Sequence, residues 1–352
     1  MRHLYIIVIC FFITVLSFGQ NNEVGKWQAL PDGPDSVIYR LYVFKDTMYA
    51  GGEFTHMGSK TVPHLAKWDG KEWLPVGRGA DDNVYAFEEF NGQLIIGGAF
   101  DSVDGKPANH LARWDGHEWH RMGKGLGAND EENEVAVGAL CKYKGVLYAG
   151  GNFIGPQGAA LDVIAKWDGK TWSSVGGGLK RLGPEYSVIS LTVNNGKLYV
   201  SGVGLSLDGK IQRNILTWDG MKWDTVGSCR FDGPVFTTCS FNNDIIAGGN
   251  FVLCDSGKYV SRLHNNQWVS ASTAGAVSGA FAFCIYNKEL YAGGYFEDNG
   301  ESGQSVNYSV AKWNGNAWLP VGNLNDRVTA IGTYHGKLYI SSKNMYFGTY
   351  VK

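Results

Sequence analysis

After residue 18 the chain has no apolar run long enough to span a bilayer as a helix, which takes about 20 apolar residues. It has no excess of one charge. Lys and Arg number 31 against 33 Asp and Glu, a formal net charge of -2. No Lys/Arg-rich stripe breaks that balance, so nucleic acid is excluded as an expected partner. Prolines number nine, and no Pro-rich or Gly/Ser-rich linker interrupts the chain. Cysteines number six, too few for a disulfide-dense scaffold. There is no Gly-x-Ser-x-Gly elbow, no phosphate-cradling Gly-x-x-x-x-Gly-Lys and no His-Glu-x-x-His. Glycine is plentiful at 49, but without a three-residue period, so the chain is not collagen-like.

What is present begins with a leader. Met1-Arg2-His3 precedes an almost unbroken apolar run from Leu4 to Phe18, then small residues at Ser17 and Gly19 and a polar start at Gln20-Asn21-Asn22. This is the layout of a secretory signal peptide, expected over residues 1–20. No cysteine follows it, which argues against a lipid anchor. The mature chain, 21–352, is expected as one exported domain, secreted, periplasmic or at the cell surface. Loss of Arg2 takes its formal charge from -2 to -3.

All twelve tryptophans belong to one recurring pattern. Five copies read Trp-Asp/Asn-Gly-x-x-Trp: Trp68/Trp73, Trp114/Trp119, Trp167/Trp172, Trp218/Trp223 and Trp313/Trp318. Trp268 lacks its upstream partner, where Leu263 stands, and Trp27 stands alone. A strand ending in two small residues precedes each pair, as at Gly51-Gly52, Gly97-Gly98 and Gly150-Gly151. Its seven copies are spaced by 46, 53, 51, 47, 45 and 48 residues, the period of propeller blades. Each unit reads as four short strands, A to D. Asn-Gly-like turns join A to B, and Asp-Gly turns, read as two-residue hairpins, join C to D. The glycine pairs mark a tight bend or a close approach of backbones. The tryptophans fill the space between sheets, each burying about 150–250 Å².

The strand count sets the closure. The first D strand, around Trp27, precedes the first A strand, while the last A, B and C strands have no D after them. The fold expected is therefore all-β: a seven-bladed β-propeller with four-stranded blades, closed by the N-terminal strand joining the last blade. Six blades with stray strands, or an open solenoid, would leave apolar strands unpaired.

The stretches Tyr49-Ala50-Gly51-Gly52-Glu53-Phe54 with Ala66-Lys67-Trp68-Asp69-Gly70, and Tyr148-Ala149-Gly150-Gly151-Asn152-Phe153 with Ala165-Lys166-Trp167-Asp168-Gly169, carry a resemblance. They are similar to the Trp-Asp-Gly, Gly-Gly-x-Phe propeller repeats of secreted bacterial proteins and of fungal cortical-marker proteins, and more distantly to kelch-type propellers. The resemblance covers nearly all of the mature chain and implies a propeller. Ser201-Gly202, His264-Asn265 and Ser341-Ser342 depart from the pattern. Kelch likeness also raises a copper radical oxidase, but the histidines are scattered and give that reading no support.

Binding is expected on the face of the variable B–C and D–A loops. Acidic candidates there are Asp101 and Asp104, Asp130 and Glu131, and Glu297 and Asp298. Oxygen-rich loops offer calcium chemistry, but their spacing is not that of an EF-hand, and a solvated acidic rim is the expectation. No cofactor or metal is expected. The third position of strand A is small in most blades, but Arg40 fills it in the first. Arg40 reads either as an anion ligand in the channel or, by preference, as a plug paired with Glu88 or Glu89. Glu88 is the least bland candidate for catalysis, and a weak one. Cys141, Cys239 and Cys284 share one strand-A slot and read as buried thiols. Cys229 and Cys254 lie in loops of one face and are expected to form a disulfide. Together these readings point to a monomeric binding or scaffolding module for a protein or a glycan. A polysaccharide hydrolase or lyase with carboxylates near the channel mouth is the alternative.

Overall fold

The computed structural model describes residues 25–127, 135–153, 163–182, 186–253, 257–271, 277–299, 305–322, 324–344 and 346–351. The leader lies outside them. Seven turns of the same kind organise what is described. At Asn91-Gly92, Asn195-Gly196 and His335-Gly336 both residues take positive φ, between 46° and 74°. Lys45-Asp46, Lys144-Gly145, Asn242-Asn243 and Asn287-Lys288 do the same in the other four units. A two-residue loop of this hand matches the twist of the strands it joins, so each forms an A–B hairpin.

Each hairpin is extended outward by two more strands. The first blade runs from strand A, Ile38–Phe44, through B, Thr47–Gly52, and C, Leu65–Trp68, to D, Trp73–Pro75. Five more blades repeat this antiparallel order, with inner strands Val84–Phe90, Ala136–Tyr143, Ser187–Asn194, Val235–Phe241 and Val277–Tyr286. The seventh takes A, B and C from Val328–Tyr334, Lys337–Ser342 and Phe347–Val351, and its outer strand is Lys26–Ala29. Lys26 pairs with Val351 and Ala29 with Gly348. The molecule is a seven-bladed propeller whose ring is closed by its N-terminal strand.

The C–D turns differ from the two-residue expectation. Trp68 pairs directly with Trp73, so four residues form the loop. Asp69 accepts the backbone N–H of Lys71 and Glu72 at 2.8 and 2.9 Å, and Gly70 takes φ +101°. Asp115, Asp168, Asp219 and Asn314 cap their turns in the same way. The Asp is therefore needed as an acceptor, not for a positive φ of its own.

The tryptophans sit between sheets. The paired indoles lie 5.1 to 5.3 Å apart in tilted contact. Trp172, Trp223, Trp268 and Trp27 each donate the indole N–H to a carbonyl just after the preceding blade's outer strand, at Met122, Val175, Val226 and Val321. In the last blade Tyr350 takes the place of the missing first tryptophan, opposite Trp27 at 5.1 Å. Ring closure has further ties: Thr329 donates to the Ile38 carbonyl at 2.8 Å, and Tyr334 to that of Asp46 at 3.1 Å.

The outer-strand tryptophans all pack between blades, but they are not all alike in their hydrogen bonding. Trp73, Trp119 and Trp318 are buried, yet among the described residues the indole N–H of each has no hydrogen-bond partner. Trp119 packs with Leu65, Val76 and Ala80 of the first blade as well as with its own. Trp318 packs with Val260 and Ala271 of the fifth blade and stacks on Phe283, ring centroids 6.2 Å apart. An unpaired buried donor costs about 1–3 kcal/mol. Burying about 150–250 Å² of indole at roughly 25 cal/mol per Å² outweighs that. Apolar packing between blades is thus the device that Trp119 and Trp318 share with the other copies, and the hydrogen bond is not.

The two glycines of each pair have different neighbours. A Cβ on Gly52, Gly98 or Gly151 would lie 2.0 to 2.1 Å from a carbonyl oxygen just before the same blade's strand pairing, at Val37, Asn83 and Ala136. A Cβ on Gly51, Gly97 or Gly150 would instead strike the valine opening the next blade, Val84, Val137 or Val188, at 2.3 to 2.8 Å. The first glycine sets the approach between blades, and the second sets the approach within one.

Candidate functional site

All seven inner strands slip register by one residue near their start, after the first or second paired position, and the sixth carries an earlier shift as well. The bypassed residues are Tyr39, Tyr85, Gly138, Ile189, Phe236, Phe281 and Thr329. An extra residue in one strand bends it and re-aims a side chain. Here all seven line a single cavity of about 670 Å³ at the long-loop end of the central channel. That volume suits a small-molecule or short-chain ligand, within the usual range of roughly 300–1,000 Å³. No tryptophan lines it, so Trp119, Trp318 and the other copies of the motif stay scaffold and take no part in the site.

The aromatic members come in pairs. Tyr39 and Tyr85 lie 5.1 Å apart in blades one and two, and Phe236 and Phe281 stack at 5.4 Å in blades five and six. In a ring of seven these pairs face each other across the mouth. The Arg327 guanidinium lies 5.2 Å from the Phe281 ring, a cation–π contact. Glu53 accepts from Ser36 Oγ at 3.2 Å and lies against Tyr39. Burial first, then the Glu53 charge, pushes the Tyr39 phenol up to about 12.

The charge of the described lining is unequal. Among the described residues Arg40, Arg327 and Lys343 line the cavity with one carboxylate, Glu53, a formal +2 from three cations and one anion. Arg40 also lines a second cavity of about 470 Å³ at the tight-turn end, so it stands where the two compartments meet. Solvent still reaches it along the channel, but protein surrounds the guanidinium, and desolvation alone lowers its pKa. Among the described residues it has no hydrogen-bond or ion-pair partner. The expected plug contact is absent. Glu88 accepts the backbone N–H of Glu89 at 2.9 Å and of Lys142 at 3.2 Å, tying blade two to blade three. Burial pushes its pKa up against those donors.

The acidic candidates do not converge. Asp104 accepts the Arg78 N–H at 2.9 Å, and the Asp101 carbonyl receives Ala108 and Asn109 N–H. Asp81 accepts from Asp101 N, Ser102 N and Ser102 Oγ. Asp35 holds Thr55 and His56 in the first blade in the same way, and Asp232 holds Val252 in the fifth. These carboxylates tie each D–A loop to its B–C hairpin. Glu297 and Asp298 are not in a loop: Glu289–Asn299 continues as one strand and pairs them with Asn307 and Val306. Asp130 and Glu131 lie outside the described residues. Asp115, Glu118 and His120 present ligand atoms within 4.8 Å of one another, but on the tight-turn face. Asp115 is bonded to His120 at 2.6 Å and Glu118 pairs with Lys106, so an ammonium already holds that cluster.

The disulfide expectation is overturned. Cys229 carries a reduced thiol. Its half-buried side chain packs against the core that holds Phe231, Phe251 and Trp268. Cys254 lies outside the described residues. Cys141, Cys239 and Cys284 occupy matching registers, opposite Tyr148, Ile246 and Tyr291. Only Cys141 is buried, whereas Cys239 and Cys284 are half-buried and line the cavity at the tight-turn end, which corrects the expectation of three buried thiols. Desolvation pushes the three thiols up to about 12, 11 and 12.

The bulge ring was missed in the sequence because only the third position of strand A was followed there. The signal was the neighbouring second position, aromatic in Tyr39, Tyr85, Phe236 and Phe281. Among the described residues no helix is long and apolar enough to cross a membrane.

No family model matches the chain, and no curated protein matches it in sequence. Solved structures do. The WD40 β-propeller domain of Doa1 aligns with a TM-score of 0.56 at 12% identity, over 93% of this chain and 97% of that one. The computationally designed Ika8 protein aligns with a TM-score of 0.50 at 14% identity, over 93% of this chain and 100% of that one. The likeness is one of fold.

Proposed function

We propose that this protein is an exported, monomeric binding module that meets a protein or glycan ligand at the long-loop mouth of its channel. The leader at residues 1–20 supports export, and the Trp-Asp-Gly and Gly-Gly-x-Phe landmarks support kinship with repeat propellers of secreted bacterial proteins. One observation carries the reading: a ring of bulged positions turns two aromatic pairs into one cavity whose lining, among the described residues, includes a single carboxylate. Aromatic faces supply contact area at low entropic cost. A glycoside hydrolase uses two carboxyl groups about 5–10 Å apart, and among the described residues Glu53 has no such mate in the lining.

Purified mature protein on a glycan array, with a parallel hydrolysis screen, tests the reading. Binding without product is expected, lost in the Tyr85→Ala/Phe281→Ala double variant. Turnover of a polysaccharide by the native protein, abolished by Glu53→Gln, would establish the enzyme reading instead.

A further inference from the structure

We infer that the mouth of the channel is a site for a carboxylate-bearing sugar, a glycuronate unit of an acidic glycan, with its carboxylate seated on Arg40. This rests on the binding-module reading and names the ligand class of that same cavity.

The floor of the cavity carries the first argument. Arg40 replaces a residue that is Ala86, Ala139, Ala282 and Ala330 in four other blades. A guanidinium put into a desolvated channel without a protein anion is costly unless something pairs with it. Its planar fork matches a carboxylate through two parallel hydrogen bonds. Arg327 and Lys343 line the same cavity and add to the attraction for an anion.

The walls carry the second argument. A pyranose ring has flat apolar faces and a polar rim. Tyr39 with Tyr85, and Phe236 with Phe281, offer flat surfaces on opposite sides of the mouth. Glu53 and Thr329 place polar groups between them in the same lining. A carboxylate below, aromatic faces beside the ring and polar partners for the hydroxyls together describe a glycuronate better than an acidic peptide. A peptide needs several apolar recesses for its alternating side chains, and of the three intervening bulge positions, Gly138, Ile189 and Thr329, only Ile189 offers a large apolar side chain.

Calorimetric titration of the full mature protein tests this with three probes: a short oligogalacturonate, its methyl-esterified form and an oligoglutamate peptide. The ester keeps the sugar ring and removes the charge. The acid form should bind about 10- to 100-fold tighter than the ester, the worth of a charge-assisted bond. Arg40→Ala should erase that difference, and Arg40→Lys should keep part of it. Alanine is the residue of four sister blades at this position, so the variant is expected to fold, and its far-UV spectrum and unfolding curve check this. Equal binding of acid and ester, or acid binding unchanged in Arg40→Ala, overturns the inference. So does Arg40-dependent binding of the peptide without binding of the oligogalacturonate. A neutral glycan that binds through Tyr85 and Phe281 but not Arg40 would overturn this inference and leave the binding-module reading standing.

Discussion

Replacing Arg40 by alanine should stabilise the empty protein. The guanidinium sits at the junction of the two channel compartments without an anionic partner among the described residues. Leaving an ion unpaired in such a place costs several kcal/mol even after relaxation. The three-carbon stem offsets part of that by packing, about 0.8 kcal/mol per buried methylene, or about 2 kcal/mol in all. The difference leaves a gain of about 1–2 kcal/mol for Arg40→Ala, or roughly 2–4 °C in Tm for a domain of this size. Urea denaturation and scanning calorimetry in ligand-free buffer read it directly. The order should invert with ligand, because occupancy at 100 times Kd adds about 2.7 kcal/mol to the native protein alone. If Arg40→Ala is instead less stable in ligand-free buffer, the arginine is a satisfied plug of the ring, and the argument that it awaits an anion fails. Function held at a cost in stability is a common trade at binding sites.

Further outcomes follow from the scaffold. Gly98→Ala should cost about 1–3 kcal/mol or more, because the new Cβ would sit 2.0 Å from the Asn83 carbonyl oxygen. Gly92→Ala, with open space but φ +74°, should cost less, and paired urea midpoints decide between them. Trp27→Ala should lose about 3–5 kcal/mol, while Trp27→Phe should lose about 1 kcal/mol, the share of its 2.9 Å bond to Val321. Burial lowers the pKa of His110, so it stays neutral in the folded protein while the unfolded chain takes up a proton below about 6.5. Stability should therefore be full above that pH and fall as the pH drops below it, and His110→Asn should flatten the decline in urea midpoints. Cys229, which forms no disulfide, should be alkylated once the exported protein is unfolded without reductant, as read by peptide mapping.

Much of the ring was legible because its devices are local. The residue pairs Asn91-Gly92 and Asn195-Gly196 specify their turns alone. The order of Trp27 against Val351 requires closure, and the register confirms it. Trp119 and Trp318 look identical to Trp172 in the repeat, and only the packing shows that their N–H groups lack the acceptor it has. The site was less legible because it depends on a one-residue slip. Tyr39 and Tyr85 alternate with buried neighbours as in any strand, and only the shift after Ile38 and Val84 turns them into the channel mouth. The acidic residues misled for a related reason. Asp104 looks like a ligand in a loop, but its carboxylate accepts the backbone N–H of Arg78, 26 residues away in the chain, which composition cannot show. Cys229 misled because loop membership does not show that its side chain packs against a core cluster.

Hydrogen exchange with mass spectrometry, run with and without the tightest-binding member of the glycan and protein panel, tests the central claim most directly. The account predicts protection at the openings of the inner strands, around Tyr39, Tyr85, Phe236 and Phe281, with the Asp69, Asp115 and Asp168 turns unchanged. Protection confined to those turns or to the outer strands, with the channel mouth unaffected, would contradict it.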